Sequence, residues 1–179
     1  MENTWIIASD LKAYTKVIPG NTDEGNLLDT YCSAACNIVT SYLGYNPVSS
    51  DYTKVLDGSG KNYLVVPSLP VTKVNSLMID GNTANIANIS FDGQFIYRPE
   101  IFNKGDRNII INYTAGYDII PGIMSITALR IAALLQTESS GNIGVTSRSF
   151  GDDGSRSFYK TKFDDYLEPL VGYRRMIDG

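Results

Sequence analysis

Thr22-Asp23-Glu24-Gly25-Asn26-Leu27-Leu28-Asp29-Thr30-Tyr31-Cys32-Ser33-Ala34-Ala35-Cys36-Asn37-Ile38-Val39-Thr40-Ser41-Tyr42-Leu43-Gly44 decides how the rest of the chain must be arranged. Leu27, Leu28, Tyr31, Ala35, Ile38, Val39 and Tyr42 recur at helical spacing and form one apolar stripe. Asn21 followed by Glu24 reads as a capping-box start, and Gly44 with Pro47 beyond it reads as the stop. A helix of this length runs roughly 33 Å at 1.5 Å per residue. Alone it cannot cover its stripe. A second apolar helix is needed, and Pro121 opens one: Ile123, Ile126, Leu129, Arg130, Ala133 and Leu134 lead to Gln136. Arg130 is its only charge between Asp118 and Glu138, so this helix is apolar nearly all round and must be central or face another subunit.

Between the two helices the period changes. Short β-rich segments separated by turns run from about residue 52 to 116: Val55-Leu56, Tyr63-Leu64-Val65-Val66, Val71 to Ile79, Ile86 to Phe91, Phe95 to Tyr97, and Ile109 to Tyr113. Asp80-Gly81 and Asp92-Gly93 are hairpin signals. Before the long helix, Ser9 is a candidate N-cap for a short helix over residues 9–17, ended by Pro19-Gly20. Beyond Gln136, residues 139–158 are rich in Gly and Ser and are expected to form a mobile or partner-ordered loop. A short helix is expected over Phe163 to Glu168, followed by the tail Leu170-Val171-Gly172-Tyr173-Arg174-Arg175-Met176.

The fold class is therefore α+β: a helical core (helices near 22–43 and 121–137) with an inserted small antiparallel β-sandwich or barrel lobe and an extended C-terminal tail. The expected divisions are N-terminal helices over 1–50, β-lobe over 51–117, core helix over 118–138, and loop with docking tail over 139–179.

Composition narrows the chemistry. The 179 residues include no histidine, which removes Ser-His-Asp and Cys-His catalysis and the usual His-containing zinc sites. Apolar residues make up 43%, enough for a packed core. Lys plus Arg number 15 against 19 Asp plus Glu, a net charge of −4 that falls entirely in residues 1–60. Such a balance disfavours binding to a phosphate backbone. No apolar run approaches the ~20 residues of a membrane span, and the acidic start Met1-Glu2-Asn3 argues against a secretory signal.

Several residues could carry chemistry and are better read otherwise. Cys32 and Cys36 share a helical face, but with no other Cys or His they read as reduced core residues. Asp152-Asp153 and Asp164-Asp165 read as solvated charge, and Asp57-Gly58-Ser59-Gly60 lacks the acidic spacing of a Ca²⁺ loop. Tyr52, Tyr63, Tyr97, Tyr113 and Tyr117 could form a sugar platform but are also good strand residues. No catalytic, metal or cofactor set stands out, so an enzyme is not expected. Tyr173, Arg174 and Arg175 are residue types enriched at interfaces, and after a flexible loop they read as a docking peptide.

Taken together, Asp10-Leu11-Lys12-Ala13-Tyr14, the helix ending Ile38-Val39-Thr40-Ser41-Tyr42-Leu43-Gly44, Leu64-Val65-Val66-Pro67-Ser68-Leu69-Pro70-Val71-Thr72-Lys73-Val74, Asn112-Tyr113-Thr114-Ala115-Gly116-Tyr117, Ile120-Pro121 and the closing Tyr173-Arg174-Arg175 form a pattern. In it the chain resembles the head–tail connector (adaptor, or head completion) proteins of tailed bacteriophages. The resemblance implies a structural virion subunit, made in the host cytoplasm, in a ring of typically twelve copies beneath the portal protein. A tail or stopper component would dock on another face, and double-stranded DNA would pass through the lumen without sequence recognition. By position it makes Tyr173, Arg174, Arg175 and Met176 portal-docking residues. The helix from Pro121 would supply neighbour contacts, with Ile123, Ile126, Arg130 and Ala133 as the subunit-interface residues. The β-lobe is larger than in the minimal helical members. Two other readings are a different tail or baseplate component and a carbohydrate-binding β-module.

Overall fold

The computed structural model describes residues 4–16, 22–138, 147–149, 155–157 and 163–175. In chain order the elements are α1 (Ala8–Thr15), α2 (Thr22–Leu43), β1 (Ser50–Gly58), β2 (Tyr63–Val65), β3 (Val71–Ile79), β4 (Asn82–Thr83), β5 (Ser90–Asp92), β6 (Phe95–Tyr97), β7 (Gly105–Ala115), α3 (Gly122–Thr137), β8 (Ser147–Ser149), β9 (Ser155–Ser157), α4 (Phe163–Leu167) and a 3-10 helix (Glu168–Tyr173). The α+β class and the helix–lobe–helix order match the sequence reading. The chain divides into two compact units: the described residues up to Tyr42 together with those from Pro121 to Tyr173, and Leu43–Ile120 together with Arg174 and Arg175.

In the helical unit, α2 buries Leu28, Cys32, Ala35, Cys36 and Val39, a row at spacings of three and four. The chain ahead of α1 lies against that row, and the Asp29 carboxylate accepts a hydrogen bond from the Ala8 amide at 3.0 Å. α1 starts one residue earlier than expected, and Ser9 is not its cap. Ile7 is the N-cap, and Asp10, the third helical residue, reaches back with its carboxylate to accept from the Ile7 amide at 2.9 Å, the acidic half of a capping box. The expected caps Asn21 and Glu24 lie outside the residues whose side chains are described. Pro121 is the N-cap of α3 rather than its first helical residue, and its carbonyl accepts from the Met124 and Ser125 amides. The tail is not extended over Glu168–Tyr173. It winds into the 3-10 helix because Leu167 and Leu170, three apart, both find buried seats, with Pro169 tolerated at the first turn.

The other unit is an open two-sheet sandwich, with no closed barrel. One sheet has the order β1-β7-β3-β4 and the other β2-β6-β5, all antiparallel. Both sheets feed one core: Leu64, Val66 and Ile96 from the smaller, and Leu77, Ile109, Ile111, Tyr113 and Ala115 from the larger, with Phe102 between them in sequence. β7 alternates strictly through Ile109, Ile111, Tyr113 and Ala115 on the buried side. On its other face, Asn112 and Thr114 join Thr53, Asn75 and Asp51 in a row of side-chain hydrogen bonds of 2.6–3.2 Å. The Asp80-Gly81 turn carries positive φ at both residues (52° and 78°), the signature of a two-residue type I′ hairpin. Gly93 (φ 56°) and Gln94 close the second hairpin. β1 starts at Ser50, well before Val55, and little of Ile86–Phe91 is strand. Within the segment expected as a loop, β8 and β9 pair as a short hairpin; its other residues lie outside those described.

Candidate assembly surfaces

α3 has two faces. Met124, Thr127, Ala128, Ile131 and Ala132 are buried and follow the helical repeat. Ile123, Ile126 and Ala133 are only half-buried, and Arg130 is exposed. At 100° per residue, Ile126, Arg130 and Ala133 cluster opposite the buried row, with Ile123 on the flank. The four residues expected to meet a neighbour thus share the uncovered side of the most apolar helix. Sequence reasoning missed what frames it. Tyr14 of α1 and Tyr166 of α4 join Arg130, Ala133, Leu134 and Thr137 around an open cleft of about 280 Å³. Tyr14 and Tyr166 lie far from α3 in sequence, so no local motif joins them to it.

The expected docking residues end the described chain. Tyr173 closes the 3-10 helix and is half-buried; Arg174 is exposed. The Arg175 amide donates to the Leu43 carbonyl at 2.9 Å, at the C-terminal end of α2, where Gly44 (φ 80°) provides the left-handed turn. Met176 lies outside the described residues.

The other candidates resolve individually. Cys32 and Cys36 are both free and buried. Burial, helped by the negative charges nearby, pushes the Cys32 thiol up to about 12, and burial also raises Cys36. Among the described residues no group of His, Cys, Asp and Glu could hold a metal ion, and no helix is long and apolar enough to cross a membrane. Asp57 accepts from the Arg107 amide at 2.6 Å and Gly58 donates to the Asn108 side chain at 2.9 Å, so that loop is internally tied turn chemistry. Asp165 is exposed, and Asp152-Asp153 lie outside the described residues. The five tyrosines do not make one platform. Tyr113 is fully buried and packs on Tyr52 (ring centroids 5.7 Å apart), whereas Tyr63 and Tyr97 sit opposite each other on β2 and β6 beside Phe95. Tyr117 belongs to the β7 exit, its backbone bonded to Pro47 and Ser49.

The stretches Leu64–Val74 and Asn112–Tyr117 are physically paired. Val71 faces Ala115, Lys73 faces Thr114, and the Gly116 amide donates to the Pro70 carbonyl. The model of the head completion protein family matches residues 5–161, and so takes in both stretches, α2 and α3. The chain belongs to the head completion protein family. Its fold has counterparts in solved particles. One is a chain in the neck of an empty gene transfer agent particle computed with C6 symmetry (TM-score 0.63, 16% identity, 97% of this chain and 92% of that one). A second is in the virion of the native gene transfer agent (0.62, 15%, 97% and 92%). A third is in the neck of the native particle computed with C12 symmetry (0.57, 16%, 100% and 97%). No curated protein sequence matches the chain. As a head completion protein it is a structural subunit of a head–tail connector, a virion component.

Proposed function

We propose that this head completion protein works as one subunit of a closed ring, twelve copies around, beneath the portal at the capsid vertex. The observation that carries the reading is the second face of α3: a helix with no charge but Arg130 leaves Ile123, Ile126 and Ala133 incompletely covered by its own chain. A ring of identical subunits needs such a face, repeated by rotation. In this reading Tyr173, Arg174, Arg175 and Met176 dock the portal, and a tail or stopper component takes another face. Double-stranded DNA crosses the lumen without being gripped, which an acidic subunit favours because a basic lumen would retain phosphate. The role is mechanical, not enzymatic, and the subunit is made in the host cytoplasm before joining the virion.

Electron microscopy of the protein alone and mixed with its cognate portal tests this. The expected result is a ring stacked on the portal, lost when residues 174–179 are deleted. That deletion spares the buried Leu167 and Leu170. Absence of any ring or portal complex across all concentrations would overturn the reading.

A further inference from the structure

The link between β7 and α3 carries an unusual pair. Ile119 is 87% exposed, far more than any other large apolar side chain among the described residues, the next being 57%. Asp118 beside it is exposed as well, and among the described residues it has no ion-pair partner. The pair is not on a loose loop. On one side the Tyr117 amide donates to the Pro47 carbonyl at 2.7 Å and the Tyr117 carbonyl accepts from Ser49 at 3.2 Å. On the other side, the first turn of α3 closes on the Pro121 carbonyl. Directly after the anchored Tyr117 the chain presents an acid and an aliphatic side chain to solvent.

The cleft on α3 has the complementary chemistry. Its walls are Ala133 and Leu134 with the rings of Tyr14 and Tyr166, and its charge is Arg130, which has no ion-pair partner among the described residues. Ile119 stands in solvent in its own unit, and the cleft on α3 is open in the other. The ring reading, on which this rests, brings a second copy to the α3 face. We infer that Asp118-Ile119 of one subunit seats in the α3 cleft of the next, with Ile119 between Ala133 and the two tyrosines and Asp118 paired with Arg130. The contact is heterologous, knob to cleft, and so propagates around a ring instead of stopping at a dimer. Charge complementarity selects the occupant and its register. A bare apolar cleft would accept many side chains, whereas an acid next to the inserted residue matches this one.

Cross-linking on the portal tests it. In the Ile119→Cys, Ala133→Cys double variant, a short bismaleimide added to the portal-bound assembly is expected to yield a ladder of covalent multimers. Neither single variant should give more than background, since Cys32 and Cys36 are buried. Charge reversal supplies the second arm. Asp118→Arg and Arg130→Asp should each raise the concentration for half-assembly at least about tenfold, and the combined reversal should recover most of it, with unchanged thermal melting throughout. A wild-type ring with no ladder and no recovery on combined reversal overturns this contact while leaving the ring reading intact. A wild-type protein that forms no ring overturns both.

Discussion

The Gly116 amide donates to the Pro70 carbonyl at 2.9 Å while Gly116 itself holds φ at 108°. This joins the end of β7 to the chain entering β3. A Cβ at residue 116 would stand 2.7 Å from the backbone of both Val48 and Ser49. Space and backbone conformation therefore both require glycine. Gly116→Ala is expected to destabilise the protein by roughly 1–3 kcal/mol from backbone strain, with the backbone clash added. Urea unfolding followed by circular dichroism measures it, and a variant as stable as wild type would show that this junction yields freely.

Tyr52 illustrates a different cost. Its ring packs on Tyr113, whose hydroxyl accepts from the Ser68 amide at 3.3 Å. The Tyr52 hydroxyl is buried with no partner among the described residues. An unpaired buried hydroxyl is penalised by about 1–3 kcal/mol, so Tyr52→Phe should leave stability unchanged or raise it, whereas Tyr113→Phe should lower it. Thermal melts of the two variants separate the outcomes, and a large loss for Tyr52→Phe would mean that its hydroxyl is satisfied.

The two hairpin turns, the α2 stripe and the apolar α3 were legible because each is a local pattern. The first half of β1 is not legible locally, because Ser50, Asp51, Thr53 and Lys54 give no apolar run; only the partner strand β7, some 60 residues away, shows that they pair. The 3-10 turn is hidden from a local reading because Pro169 looks like a helix breaker, and the burial of Leu170 is a tertiary fact. The same limit applies to the candidate site. Arg130 and Ala133 could be singled out on one helix, but Tyr14 and Tyr166 reach the cleft from opposite ends of the chain. Ile119 is one of two adjacent isoleucines in a link, and only its exposure distinguishes it from the half-buried Ile120.

The cysteines make a prediction about alkaline pH. Cys32 titrates near 9.0 in the open chain and is pushed up to about 12 when folded. Its raised folded value means that the neutral thiol favours the native state: the contribution is fully present below about pH 9 and is lost as pH rises toward 12. Stability should therefore fall across that window, and less steeply in Cys32→Ala than in wild type when each is compared with its own value at pH 8. In the native protein at pH 8, iodoacetamide should label neither cysteine; in denaturant it should label both. Rapid native labelling would show that the α2 row opens to solvent.

Arg174 and Arg175 allow docking to be separated from folding. Arg175 contributes its backbone amide to Leu43, a bond that survives any change of its side chain except proline. Arg174 is exposed, so its charge can be reversed without disturbing a buried seat. Arg174→Glu with Arg175→Glu should leave folding stability within about the ±0.5 kcal/mol expected of surface changes. The same variant should weaken binding to the portal by at least about tenfold, with the loss largest at low salt, where charge attraction is least screened. Sedimentation of portal mixtures at two salt concentrations reads this directly. Unchanged portal binding in a folded double variant would move the docking surface away from these arginines.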